Sequence, residues 1–388
     1  MSKTDSIFSL PAGETGGRER FMNRTPRAPW LFYIIMIAGV IGMMIFTGEL
    51  LCRIAGVGRP NLTLTGPKQL YISDPDPQIA FRMRPHYSDF VYGARVSINS
   101  KGLRDDERPY DKPDGARRIL VLGDSVAFGY GVRMEDAFSK QWEDALHETH
   151  KSAWEIINSG VPAYTTVQEV RWFEAEGLRC QPDAVVVAYV MNDPEEIHPL
   201  RSDGLLDQIE IDAFYRKMAE LIPPPIMPLT RYSRLSKFMN RWLIHAHPNW
   251  KILHEELTRY FCRDIFEQEG WEKCQDAFLR LRDLCREKNI FLLTAIYPLM
   301  YRLHEREEHS FTPHYERVEQ FLEQAGIQHA TPLDDFIGQP VDEMRAYADD
   351  PHPSRKSHRI FARRLHHEFA KRWSEYARDE KTASAEIP

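Results

Sequence analysis

The chain has 388 residues, enough for two or three average domains or for one large domain with an anchor and insertions. Its hydrophobic content of 43% supports a full core, and its net charge of −7 removes the electrostatic case for a nucleic-acid partner. It shows no internal repeat and no zinc-type Cys-x-x-Cys pair.

Residues 1–29 are polar, rich in Gly, Arg and Pro, and read as a disordered tail. The stretch WLFYIIMIAGVIGMMIFTG, residues 30–48, carries no charge. At a rise of ~1.5 Å per residue it just crosses a hydrocarbon core of about 30 Å, so it reads as one transmembrane helix. Trp30 and Tyr33 stand where an aromatic belt would place them, and Arg18, Arg20, Arg24 and Arg27 crowd the preceding side. That charge keeps the N-terminus cytoplasmic and puts the bulk of the chain in the periplasm or outside the cell. GELLCRIAG follows without a small-x-small cleavage site, and bulky Leu51 precedes Cys52. The segment therefore reads as an uncleaved signal anchor. Of the other cysteines, Cys180, Cys262, Cys274 and Cys285 lie in the exported part. A Cys262–Cys274 disulfide and reduced core thiols both stay open.

Residues 49–115 alternate apolar and polar positions, as in FVYGARVSIN, and predict a juxtamembrane segment of short strands. The pattern then becomes β–α–β over residues 116–375. Strands are expected at 119–122, 154–158, 184–190 and 290–298, with a short fifth at 326–330, and helices near 135–147 and 166–177. This alternation predicts a parallel sheet with helices on both faces. A mostly helical insertion is expected at about 206–288, and a disordered tail at 376–388. Within the insertion, RYSRLSKFMNRWL places Tyr232, Leu235, Phe238, Met239, Trp242 and Leu243 on one helical face, with Arg234, Lys237 and Arg241 off it. That face packs on the domain, touches a membrane or covers a site.

In such sheets ligands bind outside the carboxyl ends of the strands, so the residues just after each strand carry the chemistry. After the first strand stands Gly123-Asp124-Ser125, after the second SGVPAY with Gly160, and after the third MNDP with Asn192 and Asp193. DDPHPSRKSH, with Asp349 and His352, precedes the last helix. A serine hydroxyl needs an adjacent base to become a nucleophile, and His352 supplies one if an acceptor such as Asp349 holds its other ring nitrogen. The backbone N–H groups of Ser125 and Gly160 and the Asn192 side-chain amide then form an oxyanion hole. Gly160 suits that role because no side chain blocks the approach of a substrate to its backbone. His358 reads as a packing or capping residue, Asp124 and Asp193 as braces for the loops, and His245 with His247 lacks the carboxylates of a metal site.

These four blocks, VLGDSVAFGYGV, NSGVPAYTTVQE, MND and DDPHPSRKSH, resemble those of the SGNH, or GDSL-type, hydrolase superfamily over residues 116–375. The resemblance implies a three-layer α/β/α sandwich with a flavodoxin-like parallel sheet, preceded here by the one N-terminal transmembrane helix. It implies Ser125 as nucleophile, Asp349 and His352 as the rest of the triad, and Ser125, Gly160 and Asn192 as oxyanion donors. No metal and no organic cofactor is implied. One position departs from the pattern. The third block of the superfamily usually reads Gly-x-Asn-Asp, and Val190 stands in the glycine place. Its side chain there would narrow the pocket beside Asn192 or shift the backbone.

The expected function is that of a membrane-anchored serine esterase that hydrolyses an acyl ester, an acetylated carbohydrate or a lipid, at the cell envelope. One alternative is an O-acyltransferase that modifies an envelope glycan with a partner membrane protein. Another is a non-catalytic envelope-binding protein on the same scaffold.

Overall fold

A computed structural model of the chain describes residues 29–55, 69–149, 154–200, 206, 233–236, 238–239, 266, 269–306, 309, 311–347 and 350–385. The central sheet has five parallel strands: β5 (Arg117–Gly123), β6 (Trp154–Asn158), β7 (Ala184–Tyr189), β8 (Phe291–Ile296) and β9 (Gln328–Ala330). Their spatial order is β6-β5-β7-β8-β9, the flavodoxin-like arrangement expected from the sequence. Successive side chains of a strand face opposite ways, and β5 shows how this builds two cores. Leu120 and Leu122 join one buried cluster, with Val170 and Phe173 of α4 (Thr166–Ala175) and Phe278 and Leu281 of α5 (Glu269–Glu287). Ile119 and Val121 join the other, with Trp142 and Leu146 of α3 (Phe138–Thr149) and Phe361, Leu365 and Phe369 of the last helix. Helices thus cover both faces of the sheet, giving three layers.

Two boundaries differ from expectation. The last part of the expected insertion is α5, which crosses back from β7 to start β8, because two parallel strands need such a crossover. The last helix runs Arg355–Ala385, so residues 376–385 are helical where a disordered tail was expected. Phe369, Trp373 and Tyr376 prolong its apolar stripe and stack along it, with ring centroids 5.6 Å apart at each step.

Residues 69–115 pack into the same core. β1 (Tyr71–Ser73) pairs antiparallel with β2 (Phe81–Met83), and β3 (Ser88–Val91) with β4 (Ala94–Ser97). Phe81, Met83, Val91 and Val96 are buried in the α4 layer. The Tyr164 hydroxyl donates to the Phe81 carbonyl at 2.5 Å, and Gln168 Nε2 to that of Ile79 at 2.8 Å. The segment is therefore stitched to the loop and helix that follow β6.

At the N-terminus, α1 (Pro29–Ile54) is long and apolar enough to cross a membrane, and its apolar side chains from Trp30 to Phe46 are exposed. At its far end, Glu49 accepts the Ser233 hydroxyl and the Leu235 N–H, both at 2.9 Å. Leu235 is half-buried, whereas Phe238 and Met239 of the same expected face are exposed. The remaining residues singled out there, namely Tyr232, Lys237, Arg241, Trp242, Leu243, His245, His247 and Cys262, lie outside the described residues, as do the arginines of the tail. Cys180, Cys274 and Cys285 are buried free thiols, and Cys274 Sγ donates to the Thr166 hydroxyl at 3.4 Å.

Candidate active site

β5 ends at Gly123, and the chain turns at once into the four-residue helix α2, Ser125–Phe128. Asp124 is its N-cap: Oδ1 accepts the Val126 N–H at 2.8 Å, which satisfies one of the orphan donors of a helix start. Ser125 is the first helical residue, so its own N–H is another such donor, and it has no acceptor among the described residues. The side chain stands between two acceptors. Oγ lies 3.1 Å from Asp124 Oδ2 and 2.8 Å from His352 Nε2. One hydroxyl proton serves both, so the histidine tautomer and the Asp124 charge decide which acceptor holds it.

His352 sits on β11 (Asp350–Pro353), which pairs with β10 (Arg345–Tyr347) ahead of the last helix. The fold thus brings residues 227 positions apart into hydrogen-bond reach. Asp349, the expected acid partner of the histidine, lies outside the described residues. His358, six residues on, is fully buried, and its Nδ1 accepts the Phe138 N–H at 3.2 Å. Burial pulls it down to about 3, with Arg104 and His352 adding to the effect, so it stays neutral and structural.

Asn192 follows β7 in a turn closed by Asp193, whose Oδ2 accepts the Val190 N–H at 3.0 Å. Asn192 Nδ2 donates to Asp124 Oδ2 at 3.3 Å. Asp124 therefore joins the asparagine block to the serine block, since the same oxygen accepts from Ser125. Val190 is buried in the core cluster on the α3 side of the sheet, where Ala188 and Val126 also pack. The bulk that departs from the superfamily pattern is taken up by that core.

Gly160 is placed differently from expectation. A Cβ there would lie 2.6 Å from the Ala127 carbonyl carbon, so glycine is needed for backbone to pack on backbone. Its N–H donates to Asn158 Oδ1 at 3.0 Å and is not free for a substrate in this structure. Asn158 is the hub of this contact, since its Nδ2 also donates to the Ala127 carbonyl at 2.7 Å. Three residues further on, Ala163 has a left-handed backbone at φ 69°, and its N–H has no acceptor among the described residues.

Behind the serine lies a group of buried carboxyls. Asp124, Glu169 and Asp193 are each no more than 2% exposed. Both Glu169 oxygens and Asp193 Oδ1 lack a partner among the described residues. Burial, and then the charge of Asp124, pushes Glu169 well above the ordinary carboxyl range. Burial, then Glu169 and Asp124, does the same to Asp193, so the fold favours the neutral form of both. Burial raises Asp124 too, against the Val126 N–H and the nearby His352, which favour its charged form.

Solved structures similar to the chain include three esterases or lipases. The psychrotrophic esterase EstA from a Pseudoalteromonas species shares 15% identity over 66% of this chain and 99% of its own, with a TM-score of 0.36. A lipase from a goat rumen metagenome shares 12% over 65% and 97%, with a TM-score of 0.42. An acetylxylan esterase from Geobacillus stearothermophilus shares 14% over 65% and 93%, with a TM-score of 0.38. No curated protein matches the chain. The family model of the GDSL-like lipases and acylhydrolases matches residues 121–360, from inside β5 to the start of the last helix. A match over more than half the chain, on a five-stranded parallel sheet of the SGNH type, makes this protein a member of the GDSL-like lipase/acylhydrolase family.

Proposed function

We propose that the protein is a membrane-anchored serine esterase that uses Ser125 as nucleophile and His352 as general base, with Asp349 orienting the histidine. The observation that carries this reading is the 2.8 Å contact between Ser125 Oγ and His352 Nε2. Ser125 Oγ attacks the ester carbonyl as its proton passes to Nε2, giving a tetrahedral oxyanion. The Ser125 N–H and Asn192 Nδ2 are the donors best placed to meet that charge. Gly160 adds a donor only if its N–H leaves Asn158 Oδ1 or is shared with it. As the oxyanion collapses, the imidazolium gives its proton to the departing alcohol, leaving an acyl-serine. Water, deprotonated by His352, then releases the carboxylic acid and restores the hydroxyl.

The site of action in this proposal is the cell envelope. α1 anchors the chain with its N-terminus in the cytoplasm, and the substrate is an acyl ester of an envelope carbohydrate or lipid. The exposed apolar surface of α1 and the arginines that precede it support the anchor and its orientation.

The test is hydrolysis of p-nitrophenyl acetate, butyrate and octanoate by the full chain in detergent, beside Ser125→Ala. Turnover is expected in the native protein and lost in the variant, and the chain-length profile separates short-acyl from long-acyl specificity. Absence of turnover with a Ser125 that still reacts with a fluorophosphonate would replace hydrolysis by transfer to a glycan hydroxyl, with a partner membrane protein supplying the acyl group. Absence of both would leave a binding protein on this scaffold.

A further inference from the structure

The histidine at the site is not held by Ser125 alone. Tyr130 follows α2 by two residues and is buried, and its N–H donates to the Ser125 carbonyl at 2.9 Å. Its ring lies face to face with His352, with centroids 4.1 Å apart and planes inclined by 27°. One residue thus grips the backbone of the serine and the ring of the histidine. Behind it stands Tyr92, centroid 4.5 Å away, from the turn between β3 and β4. Tyr92 shares a 3.1 Å hydroxyl–hydroxyl hydrogen bond with Tyr71 of β1.

This stack is built at some conformational cost. Tyr92 holds a left-handed φ of 52°, which bulky residues rarely adopt. Its carbonyl accepts the hydroxyl of Tyr347 on β10 at 2.8 Å, so the turn is tied to the hairpin that bears His352. The next residue is Gly93, at φ 73°, where any Cβ would overlap that same Tyr347 hydroxyl. The turn is therefore fitted to Tyr347 on one side and to Tyr130 on the other.

We propose that Tyr130, backed by Tyr92 and Tyr71, is a positioning residue for His352, and that strands β1 to β4 are part of the active site. The proposal rests on the reading of Ser125 and His352 as nucleophile and base. A neutral imidazole can turn about its side-chain bonds, and a ring laid flat against it fixes the plane in which Nε2 meets Ser125 Oγ. The imidazolium formed during attack is a cation over a π face, which favours it further. Among the described residues, Ser125 and Asp124 from the α2 turn and His358 from the last helix also act on His352. None of them stacks on its face.

The experiment compares the full-length protein in detergent with Tyr130→Leu, Tyr130→Phe and Tyr92→Leu. Three readouts are needed: pH profiles of kcat and KM, the pH dependence of fluorophosphonate inactivation, and NMR of ring-labelled histidine assigned with His352→Gln. Tyr130→Leu should lower kcat ~10-fold with KM little changed, equivalent to about 1.4 kcal/mol of barrier. The His352 signal should lose its ring-current shift, and its titration midpoint and the acid limb of activity should move to lower pH. Tyr130→Phe should keep all native values. Tyr92→Leu should give a smaller change in the same direction, and it decides the matter if Tyr130→Leu does not fold. A His352 resonance and midpoint unchanged in the folded leucine variants would overturn the proposal, as would a phenylalanine variant as impaired as the leucine one. If the native protein neither turns over esters nor reacts with the fluorophosphonate, the esterase reading fails, and the NMR titration still decides whether Tyr130 holds His352.

Discussion

Replacing Glu169 by glutamine tests the buried carboxyl group behind the serine. Glu169 is fully buried with neither oxygen partnered among the described residues, and burial followed by Asp124 pushes it well above its ordinary value of 4.5. The folded chain therefore binds a proton that the unfolded chain releases above that value. A group raised on folding contributes its stability below the unfolded value and loses it as pH rises toward the folded one. Each pH unit above the unfolded value costs about 1.4 kcal/mol for as long as the carboxyl stays protonated. The cost grows with pH until the folded carboxyl ionises. Glutamine has the same shape and no proton to lose, so Glu169→Gln should match the native protein near pH 5 and gain on it as pH rises, by at most about 1.4 kcal/mol per pH unit. Asp193 titrates together with Glu169, and removing one acid relieves the other, which acts in the same direction. The assay is denaturant unfolding of both proteins at half-unit steps between pH 5 and 8. An offset that is the same at pH 5 and pH 7, or a variant less stable at pH 7, would refute the protonated state.

Three further substitutions probe the site. Asn192→Ala should lower kcat ~100- to 1,000-fold with little change in KM, read from steady-state ester hydrolysis, because the donor proposed here meets charge only in the transition state. Gly160→Ala brings a Cβ to 2.6 Å from the Ala127 carbonyl carbon, so α2 must move. A loss of a few kcal/mol in unfolding free energy, typical of overpacking at about 1–3 kcal/mol, is expected together with loss of turnover. Arg104→Met removes hydrogen bonds to the carbonyls of Phe128, Gly129 and Val132, made at 2.9, 2.7 and 2.8 Å. It should lower the melting temperature and slow fluorophosphonate labelling of Ser125, and a variant that melts lower but labels at the native rate would show that the clamp serves stability alone.

What could be read in the sequence follows from how local each signal is. Ala184–Tyr189 is an unbroken apolar run because a central parallel strand is covered on both faces, so the strand announces itself without its neighbours. Ser125 and Asn192 were singled out because each follows a strand of the sheet, and His352 because its block precedes the last helix; the fold brings Ser125 Oγ to His352 and Asn192 to Asp124. Buried charges gave weaker signals. Glu169 falls on the face of α4 that also carries Trp172 and Phe173, three and four residues on, and that spacing marks it as buried. Arg104 stands in the polar run KGLRDDERP and looks like solvated surface. Its partners lie up to 28 residues away and become visible only when the chain folds. At the second block the sequence did not show that Gly160 also lets two backbones pack.

The geometry around Ser125 is a tertiary product in a specific sense. α2 has four residues, too few to hold itself together, because the first turn of a helix costs more than its single hydrogen bond returns. Side chains from elsewhere hold it instead. Asp124 caps its start, Asn158 at the end of β6 takes the Ala127 carbonyl, and Arg104 takes the carbonyls of Phe128 and Gly129. Arg104 has no carboxylate among these acceptors and lies over the Phe128 ring at 4.7 Å, a buried cation compensated by carbonyl dipoles and a π face. Its neighbour Asp105 accepts the Asn158 N–H at 2.9 Å, so the segment that grips α2 also fixes the hub beside it. Residues 69–115 thus hold the serine through Arg104 and Asp105 and approach the histidine through Tyr92. A domain boundary drawn at residue 115 would pass between Ser125 and the groups that keep it in place.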